Sequence, residues 1–134
     1  MPDVNCPYLM ATALVDGGVS FANSHSREHM SEPQIRSVME RVTVIGDATL
    51  NDPAAPRGGI VEVLLRDGRT VSHHTRFPPG AKENPLDTEA VNAKARDLMG
   101  PVLGAERTDA AIRKLNELER AGDVGELVRS MLAV

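Results

Sequence analysis

IVEVLLRDGRTVSHHTRF, residues 60–77, contains the strongest local folding signal in this chain. Residues 60–65 and 69–77 are rich in β-branched side chains, which predicts two strands. Asp67 and Gly68 between them predict a two-residue hairpin turn, because both residue types tolerate the positive φ that such turns need. Alternation along the strands places two sets of side chains on one face of the hairpin: Val61, Val63 and Leu65, and Val71, His73 and Thr75.

Upstream of the hairpin, the sequence predicts a helix followed by a further strand. Ser31, Glu32 and Pro33 open the helix, and its apolar face consists of Ile35, Val38, Met39 and Val42. The β-branched run at residues 42–45 then predicts a strand, and the turn-forming residues 51–59 predict a loop.

Downstream of the hairpin, the sequence predicts three helices. The first runs from Thr88 to Met99, with Asp87 as its cap and Gly100 as its stop. Thr108 is the predicted cap of the second helix, whose apolar side is Ile112, Leu115 and Leu118. Asp123 and Glu126 form a capping box for the third, whose apolar residues are Val124, Leu127, Val128, Met131 and Leu132. Strands and helices are therefore segregated, which predicts one α+β domain over residues 1–134, with an antiparallel sheet and helices on one face.

The segment NCPYLMATALVDGG, residues 5–18, predicts a helix that is apolar nearly all round. Asn5 or Cys6 can cap it, Pro7 suits its first turn, and Asp16-Gly17-Gly18 ends it. A helix of this kind must be buried on most of its sides, and a chain of 134 residues offers few partners for it.

The composition excludes several classes of protein. The net charge is −4 and the chain has no Trp, one Tyr and two Phe, so neither a basic stripe nor stacking platforms for nucleic acid are present. The single cysteine, Cys6, permits no intrachain disulfide, which fits a cytoplasmic protein. No apolar run is long enough to span a membrane, and the N-terminus does not have the pattern of a signal peptide.

The four histidines are candidates for metal binding or catalysis. His25 and His29 would share one face if a single helix carried both, but no third ligand accompanies them, and a solvated or capping role is favoured. His73 and His74 are adjacent on a strand and therefore point to opposite faces, so they cannot chelate one ion together.

Three other features are candidate sites. Cys6 could be a nucleophile at a helix N-terminus, but it has no obvious base partner. Gly58-Gly59 lacks the lysine and spacing of a phosphate-binding loop. Tyr8, the only tyrosine, is either a core aromatic whose hydroxyl is hydrogen-bonded, which is favoured from the residues alone, or a hydroxyl at the rim of a pocket.

Three stretches in the same order resemble the C-terminal part of the MmgE/PrpD family, whose best-known members are 2-methylcitrate dehydratases. PYLMATALVDGGVSF (7–21) is similar to the family's P-Y-x-x-A-x-A-L-x-D-G helix, and EPQIRSVMERVTVIGD (32–47) to its next helix and strand. The run from residue 60 to residue 99 is similar to its hairpin and G-x-x-x-N-P-L-[ST]-x-E-x-x-x-x-K-F helix, with Ala95 in place of the aromatic.

The resemblance implies that this chain is the C-terminal part of a larger enzyme with an all-helical domain. Helices at residues 5–17 and about 109–132 would pack on that domain, which explains the apolar first helix. The chain would then be a split subunit, a truncated product or a shortened piece. It would be inactive alone, would form a homo-oligomer, and would expose the apolar sides of residues 9–15 and 124–132.

The resemblance also implies the chemistry: a lyase that transfers a proton next to a carboxylate of a small polycarboxylate, as in 2-methylcitrate dehydration, without a metal or organic cofactor. Decarboxylation and epimerisation are the alternatives within the family. Tyr8 matches the tyrosine that the family places beside its active site, and Asn5 and Cys6 would line the pocket mouth.

Two hypotheses from other classes stay open. One is a non-catalytic binding or assembly module that retains only the fold, and the lack of a full acid–base set favours it. The other is a small standalone enzyme that uses Tyr8, His25 and His29, which requires these three side chains to converge.

Overall fold

The computed structural model describes residues 1–120 and 122–132, which form two compact units. One unit combines Met1–Val44 with the described residues from Ala90 onward, and the other is Ile45–Glu89. Helices and a two-stranded antiparallel sheet make up the described residues, which confirms the α+β class. No helix among the described residues is long and apolar enough to cross a membrane.

Four helices form the N-terminal part of the first unit: α1 (Cys6–Asp16), α2 (Phe21–His25), α3 (Arg27–Ser31) and α4 (Pro33–Met39). The side chain of Asn5 caps α1, as predicted, by accepting a hydrogen bond from the backbone N–H of Tyr8. Gly17, with φ of 77°, ends α1 in the left-handed conformation that favours glycine.

The core of this unit lies between α1 and α4. Tyr8, Ala11 and Ile35 are completely buried, and the partly buried side chains around them are Leu9, Val15, Met30, Val38 and Met39. Ile35, Val38 and Met39 of the predicted apolar face therefore pack into this core, whereas Val42 lies beyond the end of α4. On α1 the Leu14 side chain remains 55% exposed, so this unit leaves part of an apolar helix uncovered.

Helix α5 (Thr88–Leu103), which belongs to the first unit from Ala90 onward, begins where predicted but does not stop at Gly100. It runs through Gly100 and Pro101, and the chain leaves the helix at Gly104, with φ of 79°. The predicted stop at Gly100 is wrong, because the glycine that takes a positive φ is Gly104 rather than Gly100.

The two remaining helices are α6 (Ala105–Asn116) and α7 (Val124–Leu132). Gly104 occupies the cap position of α6, so the prediction that Thr108 caps it is wrong; Thr108 lies in the first turn and is 1% exposed. The Asp123 carboxylate accepts hydrogen bonds from the backbone N–H groups of Gly125 and Glu126, as a capping residue should. Within the predicted apolar side of α7, the side chains of Leu127, Met131 and Leu132 lie outside the described residues.

The second unit contains the predicted hairpin, formed by β1 (Gly59–Leu64) and β2 (Thr70–Thr75). Val63 pairs with Val71, and Val61 pairs with His73, so the predicted shared face is confirmed.

The connection in this hairpin is longer than predicted. Leu65 accepts a hydrogen bond from the Gly68 N–H and donates one to the Arg69 carbonyl, so the loop contains three residues rather than two. Gly68 alone takes a positive φ, 85°, whereas Asp67 keeps a negative φ and accepts a hydrogen bond from the backbone N–H of Arg69. This is the three-residue turn that closes with a glycine bulge.

The strand predicted at residues 42–45 is absent from the described structure, and the described sheet has two strands. Val44 and Ile45 are 64% and 78% exposed. β-branched residues stabilise a strand by packing against cross-strand neighbours, and this segment pairs with no strand.

Candidate functional site

Tyr8 lies at the centre of a polar network inside the otherwise apolar core of the first unit. Its side chain is completely buried, and its hydroxyl donates a hydrogen bond to the backbone carbonyl of Asn23. The same oxygen lies 2.8 Å from Nδ1 of His29 and 3.3 Å from the carbonyl oxygen of Ser26. The predicted site residue is therefore a buried hydroxyl surrounded by polar groups.

The His29 ring joins this hydroxyl to a carboxylate. Its Nε2 atom lies 3.1 Å from Oδ2 of Asp16, and that oxygen also accepts a hydrogen bond of 3.0 Å from the Asn23 side-chain amide. The rings of Tyr8 and His29 meet edge to face, with centroids 5.8 Å apart. We call these four residues, Tyr8, Asp16, Asn23 and His29, the Tyr8 network.

A break between two short helices places the members of the network together. Ser26 ends α2 and also caps α3, accepting a hydrogen bond from the His29 N–H. Ser20 and Asn23 form a reciprocal capping box at the start of α2. Where α2 ends, the Asn23 carbonyl accepts from the Ser26 N–H and from the Tyr8 hydroxyl. The Ser26 carbonyl accepts from the Met30 N–H and lies 3.3 Å from the same hydroxyl.

Exposure increases along the network from Tyr8 outward. The Tyr8 side chain is buried, the side chain of His29 is 17% exposed and that of Asp16 is 30% exposed. Phenol and imidazole are both groups that exchange protons in enzymes, and a carboxylate on the far ring nitrogen fixes the orientation of the ring. The network can therefore hold or move a proton between the core and the surface of this unit.

Asn5 and Cys6, the predicted residues of the pocket mouth, lie at the start of α1. The Asn5 side chain is occupied as a cap, 2.9 Å from the Tyr8 backbone nitrogen. Cys6 is exposed. A substrate-binding role for either residue stays a prediction.

His25 does not join the Tyr8 network. Its Nδ1 atom lies 3.0 Å from both the Ser24 hydroxyl and the Phe21 carbonyl, and its ring packs on Phe21 with centroids 4.3 Å apart. The premise that one helix carries both His25 and His29 is wrong, because Ser26 separates α2 from α3. No group of three His, Cys, Asp or Glu that could hold a metal ion occurs among the described residues.

The other candidates lie in the hairpin unit. His73 and His74 are exposed neighbours on β2, where they pair with Val61 and Ile60 respectively. Gly59 is the first residue of β1, and the N–H of Gly58, just before it, donates a hydrogen bond to the Ala55 carbonyl. Both glycines therefore belong to the junction between the loop and the strand.

The perturbed carboxyl groups also lie in the hairpin unit. Hydrogen bonds from Thr49 hold the pKa of Asp47 below its usual value of 3.8. The Ala54 N–H and then the Arg76 side chain lower the pKa of Asp52, and the N–H and side chain of Arg69 lower that of Asp67. All three are caps and turn contacts rather than parts of the Tyr8 network.

The sequence indicates Tyr8 but not the contacts of its hydroxyl. It predicts Asp16 only as part of a helix stop and gives Asn23 no role. It joins His29 to Tyr8 only in the hypothesis of a standalone enzyme, together with His25. The sequence does contain a signal for this arrangement. Ser20, with Asn23 three positions later, can cap one helix, and Ser26 can cap a second, so the spacing indicates that a helix ends and restarts.

Comparison with known proteins identifies the class. The chain matches the MmgE/PrpD C-terminal domain over residues 2–118 and belongs to this family, which confirms the resemblance noted in the sequence. It is 25% identical over 125 residues to a protein of Aspergillus oryzae described as "Cis-aconitate decarboxylase-like protein oryM". That similarity covers 93% of this chain and 26% of the relative, so the chain spans about a quarter of the relative's length.

Proposed function

We propose that this chain is the C-terminal part of a cytoplasmic MmgE/PrpD-type lyase that acts on a small polycarboxylate. The family match over residues 2–118 is the observation that carries the proposal. The reaction would remove a group from the substrate after or together with proton transfer next to a carboxylate, in the manner of 2-methylcitrate dehydration.

Tyr8 is the residue to which we assign acid–base chemistry. In an elimination, a base removes the proton next to the carboxylate, the C–O bond breaks, and the leaving hydroxyl takes a proton from an acid to become water. The Tyr8 hydroxyl carries a transferable proton and lies among polar groups in an apolar core. Asn5 and Cys6, at the start of the same helix, would contact the substrate at the mouth of the pocket.

Activity requires a second component, either a preceding helical domain or a separate helical subunit. A polycarboxylate needs several cations to hold it, and within the Tyr8 network only His29 can carry a positive charge. Leu14 on α1 is 55% exposed and offers an apolar contact for such a partner. The exposed Leu14 side chain would also be available for contact with a second copy of the chain in a homo-oligomer.

Decarboxylation is the second candidate reaction, and the name of the relative favours it. Loss of carbon dioxide leaves an electron pair on carbon that must be protonated, so the same Tyr8 hydroxyl would deliver its proton to carbon instead of to oxygen. Epimerisation, the remaining alternative within the family, would need a base on one face of the carbon and an acid on the other.

A non-catalytic assembly module is the candidate from a different class. The observation that favours it is the complete burial of Tyr8, whose hydroxyl is already hydrogen-bonded inside the unit. Such a module would form a stable assembly with or without a lyase partner and would turn over no polycarboxylate.

The test is an activity assay with 2-methylcitrate, citrate and cis-aconitate. The chain is assayed alone and after co-expression with the N-terminal helical portion of a family member, with formation or loss of the conjugated acid followed by absorbance. The proposal expects turnover only in the co-expressed sample. A Tyr8→Phe chain in the same mixture controls for contaminating host enzymes, and the two mixtures are compared at equal amounts of assembled protein. Inactivity in every mixture, with a stable monodisperse chain, would instead support the assembly module.

A further inference from the structure

We propose that His29 is a positioning residue that sets the direction of the Tyr8 hydrogen bond and returns a proton to Tyr8, with Asp16 holding the ring. This inference rests on the proposed function, since it takes Tyr8 as the group that exchanges a proton with the substrate. It goes further by making His29 a donor toward Tyr8 and by giving Asp16 a role that neither the family match nor the sequence pattern assigns.

The donors and acceptors around Tyr8 fix the direction of its hydrogen bonds. The hydroxyl has one proton, and two of its three neighbours are the carbonyls of Asn23 and Ser26, which can only accept. The proton therefore lies toward the Asn23 carbonyl, and the hydroxyl oxygen accepts from Nδ1–H of His29 at 2.8 Å. His29 is thus the donor and Tyr8 the acceptor in their contact.

The far side of the ring faces an acceptor as well. Oδ2 of Asp16 lies 3.1 Å from Nε2, and a carboxylate can only accept. A ring with protons on both nitrogens satisfies both contacts, and the Asp16 charge compensates the imidazolium. The Asn23 amide holds the same Asp16 oxygen in place at 3.0 Å, so the carboxylate is fixed before any reaction begins.

The proposed proton transfer from His29 to Tyr8 conserves the number of protons. The Tyr8 hydroxyl proton leaves its hydrogen bond to the Asn23 carbonyl and passes to the substrate. The proton on Nδ1 of His29 then moves to the tyrosine oxygen and restores the phenol. The ring is then neutral and keeps its Nε2 proton on Asp16. Its side chain is 17% exposed, so it regains the missing proton from water. Tyr8 and His29 thus act as an acid–base pair, and Asp16 is the third group that orients the histidine ring.

The kinetic test uses His29→Asn in the co-expressed assembly. Asparagine places an amide N–H near the position of Nδ1, so it can donate to Tyr8 but cannot deliver a proton. We expect kcat to fall by roughly 100-fold, which is a typical effect of losing a proton transfer. KM should stay within about threefold of the value for the unmodified chain, because His29 does not contact the substrate. Added imidazole should restore part of the activity of a His29→Gly variant. An unchanged kcat in His29→Asn, or no response of His29→Gly to imidazole, would show that His29 only braces the fold.

Two further measurements keep the test decisive. Asp16→Asn should lower kcat by about tenfold at unchanged KM and carries the kinetic test if the His29 variants do not fold. Nitrogen NMR of the histidine rings in the full chain needs no turnover, and it separates this inference from the proposed function. If no assembly is active, a shift of the His29 Nδ1 resonance in Tyr8→Phe still supports the donor–acceptor arrangement. An identical resonance in both chains overturns it.

Discussion

The Nδ1 atom of His29 lies 2.8 Å from the hydroxyl oxygen of Tyr8, although 21 positions separate the two residues. The contact joins α1 to α3, so the same pair that we assign to chemistry also helps to hold the first unit together. Changes at either residue are therefore expected to affect both stability and activity.

Tyr8→Phe should lower the free energy of unfolding by about 1–3 kcal/mol. The substitution keeps the ring in the core but leaves the Asn23 carbonyl and Nδ1 of His29 without the hydroxyl. Urea unfolding of both chains measures the difference. Ser31→Ala is the control, because it also removes a hydroxyl that donates to a backbone carbonyl, at an exposed site; we expect a change within about 0.5 kcal/mol. Equal losses in the two variants would contradict the prediction.

Asn5→Ala should destabilise the chain by about 1 kcal/mol, because it removes the acceptor that caps α1. Asn5→Ser keeps a capping oxygen and should retain stability. Asn5→Ser also tests the proposed substrate contact. If Asn5 binds the polycarboxylate, this variant raises KM in the co-expressed assembly, while the melting temperature of the variant chain stays unchanged. An unchanged KM would restrict Asn5 to capping.

Thr12→Val and Thr108→Val should each stabilise the chain by about 1 kcal/mol. Both hydroxyl oxygens are buried without a hydrogen-bond partner among the described residues, and valine has the same shape without the polar atom. Thr12→Ser is the matched control: it retains the hydroxyl and loses a buried methyl group, so it should destabilise by about 0.8 kcal/mol. A destabilising Thr12→Val would show that the hydroxyl has a partner in the assembled protein.

Gly68→Ala should destabilise the hairpin unit by about 1–2 kcal/mol, because φ of 85° places an alanine Cβ against its own backbone. Gly59→Ala is the control, since its φ is not positive and a Cβ there meets no atom within 4 Å. Amide exchange across β1 and β2 reports the hairpin separately from the helices. Equal exchange rates in the two variants would contradict the three-residue turn.

The hairpin unit should lose stability in acid. The folded pKa values of Asp52 and Asp67 are held below 3.8 by the N–H groups of Ala54 and Arg69 and by arginine side chains. A lowered folded pKa gives a contribution that is present above the unfolded value and disappears as the pH falls through the folded value. Asp67→Asn should therefore make hairpin amide exchange less dependent on pH below about 3.8. Asp3→Asn, in the other unit, should leave that dependence as in the unmodified chain.

The parts of the fold that the sequence predicted well are those set by local chemistry. The cap at Asn5, the stop at Gly17 and the face shared by Val63 and Val71 follow from one residue type or one alternation. The errors came from choosing among equivalent signals. Gly100 and Gly104 are both plausible helix stops, and residues 42–45 have strand propensity but pair with no strand in the described part of the chain.

The candidate site was only partly predictable for a physical reason. Family resemblance indicated Tyr8, but its partners depend on the path of the chain after Gly17 and on the restart of the helix at Ser26. Asp16, Asn23 and His29 meet because of that path, and no spacing rule for a single helix brings them together.

The central claim is that this chain supplies an acid–base group to a polycarboxylate lyase. The most direct test is kcat for cis-aconitate and 2-methylcitrate in the co-expressed assembly, with Tyr8→Phe compared against the unmodified chain at equal assembly. We expect the unmodified chain to be active and Tyr8→Phe to lose at least 100-fold in kcat, about the effect of removing a general acid. Equal turnover by the two assemblies would contradict the assignment of Tyr8 and leave the chain a structural part of the enzyme.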